Sequence, residues 1–189
     1  MSTGVLGGAF DPPHLGHVAL ARAALERLGL DRLLVLVVAD PGHKETRTPA
    51  ETRLELVRLA FRDEPRVDVE LDPHARTVDS LEARNLEDPV FVVGADEFVG
   101  LSSWKRPERV LELARLAVAT RPGVPDEHVS EVLARLSAPD RISFFELEPI
   151  PVSSSLVRER AAAGDPIDDL VPAAVADAVR RLGLYPSAE

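Results

Sequence analysis

Gly4-Val5-Leu6-Gly7-Gly8-Ala9-Phe10-Asp11-Pro12-Pro13-His14-Leu15-Gly16-His17 decides how this chain reads. A short apolar run ends in two glycines and leads into a helical pattern, so the segment reads as strand, tight turn and helix start. Gly7 and Gly8 carry no side chain, which lets the backbone approach a ligand closely. His14 and His17 fall where the helix begins. A helix start offers unpaired N–H groups and the positive end of the dipole. Glycines, imidazoles and helix start therefore converge on one anionic ligand, a phosphate above all. The spacing matches neither G-x-G-x-x-G nor G-x-x-x-x-G-K-[ST], which excludes the usual dinucleotide fingerprint and the P-loop.

Outward from this segment, strand and helix patterns alternate to the end of the chain. Strands are expected at 3–8, 33–38, 67–71, 90–94, 116–120 and 142–147. Several are unbroken Val/Leu/Phe runs, as in a sheet covered on both faces. Helices are expected at 15–28, with Gly29 as the stop, and from Thr48-Pro49-Ala50-Glu51 to about Phe61. That tetrapeptide reads as a capping box with proline at the first helical position. Further helices are expected after Thr77, at 107–113, from near Asp126 to Leu136, at 154–163 and at 172–182, the last two stopping on Gly164 and Gly183. The pattern specifies an α/β fold, a Rossmann-like doubly wound parallel sheet with helices on both faces, in a single domain over 1–189. Ligands of such sheets bind outside the carboxyl ends of the strands. The glycine–histidine segment lies at that end, as do the segments that begin at Asp40, Gly94, Thr120 and Ser153.

Composition narrows the function classes. At 189 residues and 45% hydrophobic content the chain suits one globular domain with a sizeable core. The formal net charge of −10 argues against a nucleic-acid footprint. A phosphate ligand must then meet a local cluster of donors in an acidic protein. No run is long and apolar enough for a bilayer span, and no signal-peptide pattern opens the chain. There is no cysteine, which excludes disulfides and thiolate metal sites. A cytoplasmic protein with no membrane partner is expected; the oligomeric state stays open, a homo-oligomer included. Only Lys44 and Lys105 stand against twenty arginines, and both fall in segments assigned to the site.

Each candidate has a plainer alternative. His14 and His17 would otherwise be half of a zinc site, but no nearby Cys or acidic residue completes the three or four ligands zinc takes. Ser153-Ser154-Ser155-Leu156-Val157-Arg158 is an N-cap cluster or a phosphate cradle, with the Arg158 guanidinium about one turn into the helix. His43 and Lys44 follow the second strand; His43 fits a surface turn as well as a ligand, and Lys44 offers a mobile point charge to a phosphate. Asp96 after Gly94 caps a helix or accepts from ribose hydroxyls. Trp104 sits in Ser102-Ser103-Trp104-Lys105-Arg106-Pro107, a polar setting in which an indole is placed to stack on a flat ring.

Gly7 through His17 resembles the GG-x-F-D-P-x-H-x-G-H signature of the nucleotidyltransferases that share an H-x-G-H motif. Residues 152–158 resemble their I-S-S-T-x-I-R signature, with Val152, Ser155 and Val157 replacing isoleucine, threonine and isoleucine. From Val5 to Tyr185 the chain is similar to the bacterial nicotinate mononucleotide adenylyltransferases. That resemblance implies adenylyl transfer from ATP to nicotinate mononucleotide, with deamido-NAD and pyrophosphate as products and Mg²⁺ assisting. It implies catalytic roles for His14, His17, Lys44 and Arg158. It puts Gly7, Gly8, Phe10, Asp11, Gly94, Asp96, Ser153, Ser154 and Ser155 on the ATP side, with Asp96 near ribose. Thr77 and Trp104 fall at the pyridine ring, and Arg121 at the mononucleotide phosphate. The family often reads Ser-Tyr-Thr where this chain has Ala75-Arg76-Thr77, and an aromatic residue where it has Lys105. Both changes flank the pyridine pocket, and Arg76 or Lys105 would attract the nicotinate carboxylate. The competing readings are the same reaction on nicotinamide mononucleotide, transfer to phosphopantetheine or to a sugar or polyol phosphate, and a nucleotide sensor without turnover. A sensor has no need of His14, His17, Lys44 and Arg158 together.

Overall fold

The computed structural model describes residues 1–42, 46–120 and 127–187, with the side chains of Glu127 and His128 left aside. Six strands form one parallel sheet: β1 (Thr3–Gly8), β2 (Arg32–Val38), β3 (Val67–Asp72), β4 (Val90–Gly94), β5 (Arg115–Thr120) and β6 (Ile142–Glu146). Their order is β3-β2-β1-β4-β5-β6 and every pairing is parallel. The chain winds outward from β1 to β3, then crosses back to start the other half at β4. The crevice of a doubly wound sheet lies at that reversal. β1 pairs with β2 from Thr3↔Arg32 to Gly8↔Val37, but with β4 only at Gly4↔Val90 and Val5↔Phe91. The two central strands part beyond those pairs, directly below Gly7 and Gly8.

The helices are α1 (Leu15–Arg27), α2 (Ala50–Ala60), α3 (Thr77–Arg84), α4 (Ala95–Val99), α5 (Pro107–Leu113), α6 (Glu127–Leu133), α7 (Ser154–Ala163) and α8 (Ala173–Leu182). The unbroken apolar strands still divide by alternation. Leu6, Val35, Val37, Val90, Val92 and Ala117 pack on one face with Val18, Leu25 and Val57. Val5, Leu34, Leu36, Phe91, Val93, Leu116 and Val118 pack on the other with Val78, Phe98 and Val110. A two-residue side-chain period sends neighbours to opposite faces, and helices cover both. A third cluster lies off the sheet, where Leu56 of α2 meets Val157 of α7, Val175 and Val179 of α8, and Tyr185. Among the described residues no helix is long and apolar enough to cross a membrane.

Three details differ from the sequence expectation. The capping box at Thr48 does not form: Pro49 is the cap of α2 and makes no side-chain bond. Thr48 is buried, and its carbonyl accepts from Arg53 Nε at 3.0 Å. The helix starts one residue later than that box requires, so Thr48 falls before the cap position. The second difference is α4, whose five residues are too few to show a helical period in sequence. Gly94 is its cap and Asp96 lies inside its first turn, so Asp96 is not the capping residue. The third is α6, which ends at Leu133 rather than near Leu136.

Candidate active site

A cleft of about 1300 Å³ opens over the carboxyl ends of the strands, where β1 and β4 diverge. Single-ligand pockets run to ~1,000 Å³, so this one has room for two substrates. Every sequence-predicted site residue that the structure describes lines it: Gly7, Gly8, Phe10, Asp11, His14 and His17 from the β1–α1 segment, Arg76 and Thr77 at α3, Gly94 and Asp96 at α4, Trp104 and Lys105 beyond it, and Ser153, Ser154, Ser155 and Arg158 at α7. His43, Lys44 and Arg121 lie outside the described residues.

His14 is the cap residue of α1 and His17 its third residue, and their rings stack with centroids 3.7 Å apart. The His14 backbone N–H donates to His17 Nδ1 at 3.1 Å. That bond makes Nδ1 an acceptor and assigns the proton of the neutral ring to Nε2. Burial pushes the His14 pKa down to about 4, so this ring is neutral at pH 7. Its Nδ1 is buried without a hydrogen-bond partner among the described residues. Phe10 supports the pair from beneath. It is 2% exposed, its ring meets His17 edge-on at 4.8 Å, and a Cβ on Gly8 would come within 2.9 Å of it. Gly8 is required by that ring as much as by a ligand.

Across the cleft, α7 begins as expected. Ser153 caps it, its hydroxyl accepting from Leu156 N–H at 3.1 Å. Ser154 Oγ donates to the Pro12 carbonyl at 2.8 Å, which ties α7 to the β1–α1 segment. Arg158 donates through Nη1 to the Asp11 carbonyl at 2.7 Å and through Nη2 to Ser155 Oγ at 3.1 Å, and its Nε is buried without a partner. Asp11 is tied on both sides of its carboxylate. Its carboxylate accepts from Tyr185 Oη at 2.7 Å and from the Arg47 backbone N–H at 2.5 Å, so each oxygen has a partner within the fold.

The third side of the cleft carries Trp104, half-buried, edge-on to Phe91 with centroids 6.0 Å apart. The indole, flanked by polar residues in sequence, is thus seated on an apolar strand residue. Lys105 is also engaged: Nζ donates to both oxygens of Asp79 at 2.9 Å. That contact, with Arg106 beside it, holds the Asp79 carboxyl below its ordinary pKa. Arg76, the cap residue of α3, is exposed and makes no ion pair among the described residues. Among the described residues no group of three His, Asp or Glu gathers as a metal site.

Residues 5–160 match the cytidylyltransferase-like family. A probable nicotinate-nucleotide adenylyltransferase of Thermus thermophilus is 39% identical over 98% of this chain and 100% of its own. One of Rubrobacter xylanophilus is 35% identical over 98% and 92%. The chain belongs to the nicotinate-nucleotide adenylyltransferase family. The Plasmodium falciparum nicotinic acid mononucleotide adenylyltransferase complexed with NaAD superposes with a TM-score of 0.79 over 97% of each chain at 15% identity, which bears on the family fold alone.

Within that family fold, several residues that shape the cleft escaped the sequence reading. Arg53 is 1% exposed and donates to four carbonyls: Thr48 at 3.0 Å, Ala9 at 2.6 Å, Val38 at 2.9 Å and Ala39 at 2.7 Å. It fastens the carboxyl ends of β1 and β2 together, and burial lowers its pKa against the pull of Asp11. Asp72, 1% exposed at the end of β3, accepts from Ser80 Oγ, from the His74 N–H and from Arg84. It holds α3, and so Arg76 and Thr77, at the rim. Backbone strain marks the same region. Non-glycine residues with positive φ include Phe10 (50°), Arg106 (51°) and Tyr185 (59°), none of a type that adopts it readily. Such strain persists where surrounding contacts over-determine it. Phe10 was marked in sequence by the Gly7–His17 signature; Arg106 and Tyr185 carried no signal of strain.

Proposed function

We infer that this chain transfers the adenylyl group of ATP to nicotinate mononucleotide, forming deamido-NAD and pyrophosphate. The observation that carries the reading is the stacked His14–His17 pair at the start of α1, with Arg158 anchored to the same segment, in a chain of this family. A phosphate oxygen of the mononucleotide attacks the α-phosphorus of ATP. The bond from that phosphorus to the bridging oxygen breaks, and pyrophosphate departs with the electron pair. No protein nucleophile is needed, so catalysis consists of positioning and of stabilising charge on the transferring group.

The residues divide that work. Neutral His17 donates from Nε2, because Nδ1 is already an acceptor. His14 serves as a neutral ring at pH 7, which leaves the cationic part to Arg158 and, by sequence, Lys44. Backbone N–H groups at Gly7 and Gly8 approach the phosphates, and Asp96 with Gly94 takes the ribose side. Mg²⁺ carried on the nucleotide would neutralise the departing pyrophosphate. The donor set fits a cation that arrives on ATP phosphates better than one caged by protein, given the scattered carboxylates. At the acceptor end, Trp104 stacks on the pyridine ring, Thr77 lies at its edge, and Arg121 by sequence meets the mononucleotide phosphate. Asp79 compensates Lys105, which leaves Arg76 as the cation for the ring carboxylate.

The test is pyrophosphate release from Mg·ATP with nicotinate mononucleotide and with nicotinamide mononucleotide, side by side. Faster turnover of the nicotinate form is expected. Preference for the amide would overturn the acceptor, and silence with both would overturn the activity.

A further inference from the structure

The tail of the chain enters the nucleotide end of the cleft from behind. Tyr185 is 4% exposed, and its hydroxyl donates to Asp11 Oδ1 at 2.7 Å across 174 residues of sequence. Asp11 is 3% exposed, and its own backbone carbonyl is the acceptor that holds Arg158 Nη1 at 2.7 Å. The other Asp11 oxygen takes the Arg47 N–H. One residue thus joins three distant parts of the chain, with its carboxylate facing the tail and its carbonyl facing the guanidinium.

Two strained residues bring these groups together. Tyr185 holds φ at 59°, and Phe10, immediately before Asp11, holds φ at 50°. An aromatic side chain pays in backbone strain for the left-handed region, so each conformation must be enforced by its contacts. For Tyr185 the contacts are its ring in the α2–α7–α8 cluster and its hydroxyl on a buried carboxylate. Ring burial alone would hold the tail. It would not require the hydroxyl to reach the buried Asp11 side chain, a directional bond that fixes both groups.

We propose that Tyr185 is a positioning residue for adenylyl transfer, acting through Asp11 on the Arg158 guanidinium. The proposal rests on the function inferred above, in which Arg158 meets the phosphates. Without the hydroxyl, Asp11 loses one of its two side-chain partners and settles differently. Its carbonyl belongs to the same residue, so the acceptor that aims Arg158 moves with it. Misplacement on the scale of an ångström at a reacting centre costs rates on the order of a hundredfold. A relaxed anchor costs less, about tenfold.

The test is a double-mutant cycle of Tyr185→Phe and Arg158→Lys. The phenylalanine keeps the ring in its cluster, and urea unfolding verifies that the variant folds. Tyr185→Phe is expected to lower kcat about tenfold, with the KM for nicotinate mononucleotide unchanged. In the Arg158→Lys background it is expected to add less than twofold, because the group it aims is already altered. A wild-type kcat in Tyr185→Phe would overturn the proposal. So would an equal loss in both backgrounds, since the hydroxyl would then act by another route. The same cycle is read in the dissociation constant of Mg·ATP without acceptor. A wild-type protein that binds Mg·ATP but releases no pyrophosphate would overturn the acceptor reaction, while coupling in the binding cycle would still support the proposal and its absence would overturn it. A wild-type protein that does not bind Mg·ATP would overturn both.

Discussion

His14 carries the sharpest consequence of a single residue's environment. In the unfolded chain its pKa returns to the ordinary value of 6.5, whereas burial holds it at about 4 in the folded protein. Folding therefore favours the neutral ring. The associated stability is complete above pH 6.5 and is lost as pH falls towards 4. The full loss is ~3 kcal/mol for a shift of this size. His14→Asn removes the titration while other groups remain, so its stability should fall less than the wild type's between pH 7 and 4.5 in urea titrations. Parallel curves would mean that the ring is not held neutral. Arg76 makes a second residue-level case. As an exposed cation at the pyridine end, it should contribute ~1 kcal/mol to choice of a carboxylate over an amide. Arg76→Ala is then expected to narrow the ratio of kcat/KM for the two mononucleotides ~5-fold, with ATP KM unchanged. An unchanged ratio would remove Arg76 from specificity. His14, His17 and Arg158 were legible because glycine, imidazole and hydroxyl spacing around helix starts is local information. Arg53 and Asp72 were not, since a charged side chain reads as exposed until tertiary partners bury it. Lys105 shows the converse: its position was legible, its pairing with Asp79 was not.

Elements follow local chemistry where the backbone itself is the constraint. Gly164 and Gly183 end α7 and α8 in the left-handed region, at φ 77° and 58°. Those stops were legible because glycine alone enters that region without strain. A Cβ at Gly164 meets nothing within 4 Å, so an alanine there would suffer backbone strain and no clash. Gly164→Ala should destabilise the protein by ~1 kcal/mol with kcat unchanged, measured as a shift in the urea midpoint. A neutral effect would mean that α7 frays past its last turn. The strands were legible to within a residue or so for a similar reason: β-branched and leucine runs flanked by turn residues have few alternatives. Thr48 and α4 were not, the first because the helix starts one residue later, with Pro49 as its cap, the second because five residues hold too little periodicity.

At the scale of the molecule, the parallel sheet supplies a crevice, but the residues after β6 complete it. α7 brings Arg158 over the β1–α1 segment, and α8 with the tail fills the space behind α2. The sheet has its own two clusters of buried side chains, so the C-terminal cluster is a separate contribution. Deleting the chain after Leu170 would remove Val171, Val175, Ala176, Val179 and Tyr185, each 4% exposed or less. It would uncover Leu56 and Val157 and leave the buried Asp11 carboxylate short of a partner. Burying one aliphatic or aromatic side chain contributes ~1.5–3 kcal/mol. Losing several together is comparable with the ~5–15 kcal/mol that holds a whole domain. That truncation should show no cooperative unfolding transition, by circular dichroism against urea, and no turnover. Deletion after Pro186 removes the exposed Ser187, whose Oγ donates to the Ala162 carbonyl at 2.8 Å, with the two residues that follow it, and should leave stability within ~0.5 kcal/mol of the full chain. If the longer truncation unfolds cooperatively near the wild-type midpoint, the C-terminal cluster adds little to the fold. The site would then owe α8 and the tail only the aim of Arg158.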